Sequence, residues 1–280
     1  MAIAALKPAE DDVIGLIDTD RYPIHDLDSA AGQALLAQCR EQMKATGSCL
    51  LPGFLTPAAV ARMAAEAAAV APSAHHRPDS GTSYLEAPDE SFPEGHPKRR
   101  LQTTSLGAVA YDLIPRSHAL RHFYEWDGVL TFLARALGRE EIHRYGDPMG
   151  ALNVAVMRDG DHLHWHFDQT DFVVSILLQA PERGGEFEYV PYIRTPGEAN
   201  YGKVGRLLDG DLEGVIRLDI EPGTMALFEG RYSIHRVTRI DGPKDRLMAL
   251  LGYDTKPGTM STDRLRQRRY GRLTAQEPPL

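Results

Sequence analysis

Short runs of alternating apolar and polar residues fill the second half of the chain, and turns containing Gly or Pro separate them. An alternation with a period of two is typical of β-strands that bury one face. Eight such runs predict a jelly roll or a barrel. The predicted strands span residues 151–157, 162–168, 172–179, 186–191, 215–218, 225–228, 235–240 and 246–253.

The first part of the chain has helical signals instead. Asp28 or Ser29 is placed to cap a helix that Gly47 ends, and Thr56-Pro57 begins a second, alanine-rich helix. A third helix is expected over residues 117–137, with Asp127-Gly128 as a candidate for a kink within it. We expect these helices to form a scaffold for the β-rich part.

The pattern therefore predicts one domain that is mainly β with flanking helices. Residues 1–150 are expected to form a helical scaffold and site-lining segment, residues 151–257 the jelly-roll core, and residues 258–280 a C-terminal tail. A long insert over residues 192–214 contains a helix-like stretch at residues 201–208. Loops of this length in compact domains often cover or line a binding site.

The composition limits the function classes. A chain of 280 residues with 42% hydrophobic and 25% charged residues can bury a core without disulfides. Its net charge of −8 argues against nucleic acid or an anionic membrane as a partner. Only two cysteines are present, the N-terminus has no secretory pattern, and no apolar run has membrane-spanning length. We expect a cytoplasmic protein, and the basic run 264–269 is expected to be a solvated tail.

The second predicted strand carries the candidate chemistry. Residues two apart share a face of a strand, so His164, His166 and Asp168 point to one side. Trp165 and Phe167 point to the other side, into apolar packing. One face of this strand is therefore expected to hold a site and the other to join the core.

Two imidazoles and one carboxylate on one face of a divalent metal leave three positions open, which suits iron(II) that must also bind a cosubstrate and dioxygen. His166 and Asp168 are a close pair, and His235 begins a later strand after a Pro-Gly-Thr turn. Arg246 opens the next strand. A single H-x-D motif is weak alone, and the order of all these features makes the prediction specific.

These features resemble, in this order, the iron(II)- and 2-oxoglutarate-dependent oxygenases of the double-stranded β-helix (jelly roll, cupin-like) fold. The resemblance covers roughly residues 151–257. It implies that His166, Asp168 and His235 are iron ligands and that Arg246 pairs with the distal carboxylate of 2-oxoglutarate. The implied cofactors are Fe(II), 2-oxoglutarate and dioxygen, with 2-oxoglutarate converted to succinate while an unactivated carbon is oxidised.

Four strings look closest to the branch of this superfamily that halogenates or hydroxylates free amino acids. The halogenating members have glycine where this chain has Asp168, which leaves a coordination position for the halide. The resemblance therefore implies hydroxylation of a small polar substrate, such as a free amino acid or a derivative. The strings are His164-Trp165-His166-Phe167-Asp168, Leu177-Leu178-Gln179-Ala180-Pro181, Gly184-Gly185-Glu186-Phe187-Glu188-Tyr189 and His235-Arg236-Val237-Thr238.

Other candidate contacts follow from charge and placement. Arg99 or Arg100 could hold the substrate carboxylate and Asp147 could receive its amine, because a buried zwitterion needs both charges paired. His164 is a candidate for contact with the substrate or with the ligands, and Asn153 for a hydrogen bond to the cosubstrate. Each also has an ordinary structural interpretation: solvated arginines, an exposed histidine and a hydrogen-bonding asparagine.

Three other functions remain open from the sequence. The same superfamily also acts on larger metabolites or peptides, which the insert 192–214 could admit. A metal-dependent cupin dioxygenase would need no cosubstrate, and loss of 2-oxoglutarate binding on changing Arg246 would exclude it. A non-catalytic, cupin-like small-molecule binding protein would form no succinate. The sequence carries no signal for the oligomeric state.

Overall fold

The structure is a computed structural model that describes residues 10–277. The beginning of the predicted N-terminal scaffold, residues 1–9, and the last three residues of the predicted tail lie outside the described residues. The helices are α1 (Glu10–Ile14), α2 (Ala30–Thr46), α3 (Pro57–Val70), α4 (Ala119–Glu125), α5 (Asp127–Ala136), α6 (Tyr201–Leu208) and α7 (Asp263–Tyr270), with 3-10 turns at Ala71–Ser73 and Tyr111–Leu113.

The eight predicted strands are all present. The first part of the chain adds short strands to them: β1 (Ser48–Leu51), β2 (His75–His76), β3 (Asp79–Gly81), β4 (Gln102–Thr104), β5 (Gly107–Val109) and β6 (His143–Arg144). The later strands are β7 (Leu152–Met157), β8 (Leu163–His166), β9 (Val173–Gln179), β10 (Arg183–Gly184), β11 (Phe187–Val190), β12 (Ile216–Leu218), β13 (Met225–Phe228), β14 (Ile234–Val237), β15 (Ile240–Asp241), β16 (Arg246–Leu251) and β17 (Tyr253–Asp254).

Two antiparallel sheets face each other. The larger has seven strands in the order β1-β13-β9-β16-β7-β5-β2, and the smaller has four in the order β12-β11-β14-β8. The ring of Phe228 on the larger sheet packs edge-on against Phe187 on the smaller one, with ring centroids 5.0 Å apart. The prediction of a mainly β, jelly-roll core with flanking helices is therefore confirmed.

The period of two explains both faces of the larger sheet. Val154 and Val156 of β7 pack into the main apolar core with the N-terminal helices. Ala155 and Met157 of the same strand instead join small clusters on the side of the smaller sheet. The inner face of the larger sheet is thus available to line a site.

The helices begin and end largely where their signals predict. Ser29 caps α2 by accepting a hydrogen bond from the backbone of Gly32, and Gly47 ends it with a left-handed φ of 69°. The predicted helix over residues 117–137 is instead two helices, because Trp126 between them has extended φ and ψ. No helix within residues 10–277 is long and apolar enough to cross a membrane.

The insert packs on the outer face of the smaller sheet. Its helix α6 has the predicted bounds and buries Val204 and Leu207 in a cluster with Trp165 and Phe167. Leu163, two residues before Trp165 on the same strand, lies instead against the cluster of Met157. The outward-pointing aromatic residues of β8 are therefore covered by the insert.

The prediction of a solvated C-terminal tail is wrong. The basic run lies in α7, whose Arg266 pairs with Asp147 at 3.2 Å and whose Tyr270 is buried. Arg268 pairs with Asp79 of β3. The sequence of the run shows the charges that the helix carries. It does not show that carboxylates from distant parts of the chain pair with them. The division of the chain at residues 150 and 257 stays a prediction, although strands from before residue 150 belong to the larger sheet.

Candidate metal centre

Three side chains converge between the two sheets. His166, Asp168 and His235 each offer one atom such that all three atoms lie within 4.8 Å of one another. Nε2 of His166 is 3.8 Å from Oδ1 of Asp168, and Nε2 of His235 is 3.6 Å from Oδ2. This is the donor set of a two-histidine, one-carboxylate metal centre.

The strand register brings the two histidines together. His166 of β8 is directly paired with His235 of β14, and their ring centroids are 4.1 Å apart. Asp168 follows β8, and its backbone N–H donates to the carbonyl of Gly230 at 3.0 Å. The pairing of β8 with β14, together with the loop before β14, therefore brings Asp168 and His235 together although they are distant in the sequence.

Backbone carbonyls fix the tautomer of both histidines. Nδ1 of His166 donates to the carbonyl of His164 at 2.8 Å, and Nδ1 of His235 donates to the carbonyl of Ser233 at 3.0 Å. Each Nε2 therefore keeps its lone pair towards Asp168. Burial lowers the pKa of His166 well below its usual value, which favours the neutral form that binds a metal.

Aromatic rings enclose His235. Phe187 stacks on its imidazole with centroids 5.4 Å apart, and Phe228 meets it edge-on at 4.8 Å. Such packing holds the ring orientation and keeps water from that side of the cluster. The donor atoms are therefore arranged before any metal binds.

Arg246 is a buried cation without an acidic partner. Its side chain lies on the inner face of β16 and is 4% exposed, and within residues 10–277 no carboxylate lies within 4.0 Å of it. Among the described residues, its one hydrogen-bond contact is to Sδ of Met157 at 4.0 Å. Burial lowers the pKa of Arg246 to about 10. A charge left in this state calls for an anionic ligand, and a carboxylate fits.

Asn153 lies on the same inner face but is already engaged. Its amide NH₂ donates to the carbonyls of Met149 and Leu152, both at 2.8 Å, and its Oδ1 accepts from the hydroxyl of Tyr270 at 2.8 Å. One lone pair of Oδ1 remains for a further contact. Its role in binding the cosubstrate stays a prediction.

The structure corrects the prediction for Asp147. The side chain is completely buried, Oδ1 accepts from the backbone of Met149 at 3.0 Å, and Oδ2 accepts from that of Ser261 at 2.8 Å. Arg266 completes the ion pair. Asp147 joins α7 to the core and has no free oxygen for a substrate amine.

We expect Asp147→Asn to destabilise the protein by about 3 kcal/mol, because it leaves Arg266 buried without a counter-charge. Burial alone would raise the pKa of Asp147, but hydrogen bonds from Ser261 and Met149 outweigh it and lower the pKa. The pair therefore stabilises the fold above about pH 4, and this stability is lost as the pH falls through the lowered pKa. Denaturant unfolding measured across this pH range checks both effects.

Asp209→Asn is the matched control for that experiment. Asp209 pairs with Arg100, but its side chain is 72% exposed, so its loss should change stability by less than about 1 kcal/mol. An Asp147→Asn variant with unchanged stability and a raised KM for the substrate would restore the original interpretation of Asp147.

His164 lies beside the cluster and outside it. Its ring is buried, hydrogen-bonds Thr104, and has its centroid 5.8 Å from that of His166. Burial lowers the pKa of His164 to about 4, so the ring is neutral at physiological pH. Its carbonyl orients His166, while its predicted contact with the substrate stays a prediction.

The structure gives Arg99 and Arg100 partners away from the cluster. Arg99 donates to the carbonyl of Phe92 at 3.1 Å, and Arg100 donates to Asp209 at 2.5 Å, at the end of α6. Both are partly exposed on the long loop before β4. Their predicted role as a carboxylate clamp stays a prediction.

Two residues near the cluster were not predicted. Burial and His235 are the main causes of the lowered pKa of His166, and the guanidinium of Arg269 on α7 adds to them. Gly230 lies against Asp168 and His235. A basic run and a glycine after a strand are common surface signals, so neither could be assigned to a site from the sequence.

A cleft of about 630 Å³ runs along β8 and β14. Gln102, His162, His164, Trp165 and Arg236 line it. None of the three clustered residues does, so His164 lies between this cleft and the cluster.

The profile of a protein family described as halogenase D matches residues 31–263, which is most of the chain. No curated protein sequence is significantly similar to the chain.

Several solved structures have a similar fold. An oxidoreductase of the 2OG-Fe(II) oxygenase family from Burkholderia pseudomallei is 16% identical, with a TM-score of 0.51 over 80% of this chain and 92% of that one. A prolyl hydroxylase from Trichoplax adhaerens, in complex with a hypoxia inducible factor peptide, is 16% identical, with a TM-score of 0.52 over 82% and 96%. The epimerase SnoN, in complex with Fe3+, alpha ketoglutarate and nogalamycin RO, is 14% identical, with a TM-score of 0.52 over 89% and 96%. At these identities the likeness shows the fold.

Proposed function

The chain belongs to the halogenase D family of iron(II)- and 2-oxoglutarate-dependent oxygenases, and from this membership we propose that it hydroxylates an unactivated carbon of a small polar substrate. The substrate we propose is a free amino acid or a close derivative. The observation that carries the reaction type is the carboxylate of Asp168 between the two histidines.

His166, Asp168 and His235 would hold the iron, and Arg246 would pair with the distal carboxylate of 2-oxoglutarate. The orientation of the two imidazoles by backbone carbonyls, and the buried guanidinium with no carboxylate partner within residues 10–277, support this assignment. When bound, iron and 2-oxoglutarate supply the activation of dioxygen, and 2-oxoglutarate leaves as succinate. The residues of the chain orient the ligand atoms, exclude water and neutralise the buried carboxylate.

Hydroxylation follows from the occupied coordination position. A halide transferred from the metal would need a position of its own, in addition to those of 2-oxoglutarate and dioxygen. In this chain Asp168 faces both histidines, at 3.8 and 3.6 Å, and would take that position when the metal is bound. We therefore propose hydroxylation, although the family is described as halogenase D.

The experiment that tests this function combines substrate and product. The protein is loaded with Fe(II) and 2-oxoglutarate without air, offered a panel of free amino acids in high chloride, and exposed to air. We expect one class of amino acid to raise succinate formation and to gain one oxygen atom by mass spectrometry. We expect no chlorinated product, because Asp168 would fill the coordination position that a halide needs.

Arg99→Ala and Arg100→Ala are compared in the same assay, and either should raise the KM for the amino acid if it holds the carboxylate. A chlorinated product would overturn the proposed hydroxylation. Succinate formation that no amino acid stimulates would point to a larger metabolite or a peptide. A protein that binds the substrate but forms no succinate would be a binding protein.

A further inference from the structure

Gly230 lies where a side chain would displace the carboxylate of Asp168. It is in the loop between β13 and β14, two residues after Phe228. A Cβ atom at this position would lie 2.6 Å from Cγ of Asp168, closer still to Oδ2, and 2.9 Å from Cε1 of His235. Carbon atoms that are not bonded do not approach to such distances, so something must move.

The backbone does not explain this glycine. Gly223, in the preceding turn, has a φ of 88°, in the left-handed region that glycine favours. Gly230 has no such φ, and alanine could adopt its conformation without backbone strain. The carboxylate of Asp168 occupies the space that a Cβ atom at position 230 would need. A glycine at this position leaves room for that carboxylate.

The loop that contains Gly230 is held on both sides. The backbone N–H of Glu229 donates to the carbonyl of Gly47 at 2.8 Å. Nε of Arg231 donates to Oδ1 of Asp171 at 2.7 Å, beyond Asp168 on the neighbouring loop.

The two loops are also tied directly, because the N–H of Asp168 donates to the carbonyl of Gly230 at 3.0 Å. A methyl group at position 230 would therefore move the Asp168 side chain, which has two rotatable bonds, more easily than either backbone.

We propose that Gly230 is a positioning residue that admits the carboxylate of Asp168 to the metal centre. The inference rests on the proposed role of Asp168 as a metal ligand. It couples two positions of the chain: a carboxylate at position 168 requires the absence of a side chain at position 230. With any larger residue at 230, the centre keeps two histidines and loses its third protein ligand.

A cycle of four proteins tests the coupling: the parent, Gly230→Ala, Asp168→Gly and the double variant. The readouts are the affinity for Co(II), titrated without 2-oxoglutarate, and the thermal unfolding of the metal-free proteins. We expect Gly230→Ala and Asp168→Gly each to weaken Co(II) binding by about 10- to 100-fold or more. In the double variant, Gly230→Ala should add less than about a twofold change, because the methyl group no longer meets a carboxylate.

Gly202→Ala is the matched control. Gly202 lies in α6, nothing lies within 4 Å of an added Cβ, and its φ is not left-handed. This variant should bind Co(II) as the parent does and unfold at the same or a slightly higher temperature.

The outcomes separate the inference from the proposed function. Normal Co(II) binding by Asp168→Gly would overturn the metal-ligand role of Asp168 and the inference with it. A loss in Asp168→Gly but none in Gly230→Ala would overturn the inference alone. Losses that multiply in the double variant would mean that the methyl group acts through His235 or the fold, and would also overturn it.

The same four proteins also distinguish the causes of a folding defect. If Gly230→Ala does not fold but the double variant folds and binds Co(II) like Asp168→Gly, the collision with the carboxylate is supported. If both fail to fold, the glycine serves the loop itself and the inference falls.

Discussion

Arg246→Met should weaken 2-oxoglutarate binding strongly and, at the same time, stabilise the ligand-free protein. The guanidinium is 4% exposed and has no carboxylate within 4.0 Å in the described part of the chain. Methionine has a similar length and packs without a charge, beside Met157. The affinity for 2-oxoglutarate should fall and the stability of the ligand-free protein should rise. Both effects have one cause, a buried charge that is neutralised only when an anionic ligand binds.

The expected sizes follow from the burial of Arg246. Its pKa falls from 12.5 to about 10, which corresponds to a cost of about 3 kcal/mol for keeping the charge in the folded protein. Because the folded pKa is the lower one, this cost is present at every pH below about 10 and is relieved only above it. The gain in stability from Arg246→Met should thus be constant between about pH 6 and pH 9, where the group is fully charged in both states.

The affinity for 2-oxoglutarate should fall by a free energy of the same order as the gain in stability. Removing one partner of a buried, hydrogen-bonded charge pair costs about 2–5 kcal/mol, so the affinity for 2-oxoglutarate should fall at least about 30-fold. Calorimetric titration of 2-oxoglutarate into the Co(II)-loaded protein measures the first effect. Denaturant unfolding of the metal-free protein measures the second.

Arg217→Met is the control, since the Arg217 side chain is 65% exposed and the change should leave both quantities nearly unchanged. If Arg246→Met keeps the parent affinity for 2-oxoglutarate, the cosubstrate is bound elsewhere or is not used. That result would favour a cupin dioxygenase without a cosubstrate.

The clustering of His166, Asp168 and His235 could be predicted because it depends on local rules. A period of two places His166 and Asp168 on one side of a strand, and a turn signal before His235 marks the partner strand. A shared metal site requires these two strands to lie side by side, and the structure pairs His166 with His235 directly. The alternation of residues in a strand and the Pro-Gly-Thr turn were informative because each of these patterns usually has a single structural meaning.

The rest depends on which distant residues meet. Asp147 could not be distinguished from a substrate contact, because its partner Arg266 comes more than 100 residues later. In the sequence Gly230 looks like any glycine in a turn. Only the structure shows that it lies against the carboxylate of Asp168.

Changing any one of His166, Asp168 or His235 to Ala should remove the stabilisation that metal gives to the folded protein. A metal that binds only the folded state adds about 4 kcal/mol when its concentration is a thousand times its Kd. Loss of one of three ligands should weaken binding by more than about 100-fold, beyond the usual effect of residues that only support a ligand. Unfolding measured with and without Co(II) should therefore show a large difference for the parent and little for each variant.

The metal-free variants should remain folded, because the three side chains face a site between the sheets and none belongs to the main apolar core. His162→Ala is the matched control: the residue is half-buried, precedes the same strand, and is not in the cluster. It should keep the full stabilisation by Co(II). A His235→Ala variant that Co(II) stabilises as strongly as the parent would contradict the assignment. The metal-free parent is the reference for folding. A variant that is unfolded when the metal-free parent is folded would show that the changed side chain also supports the fold.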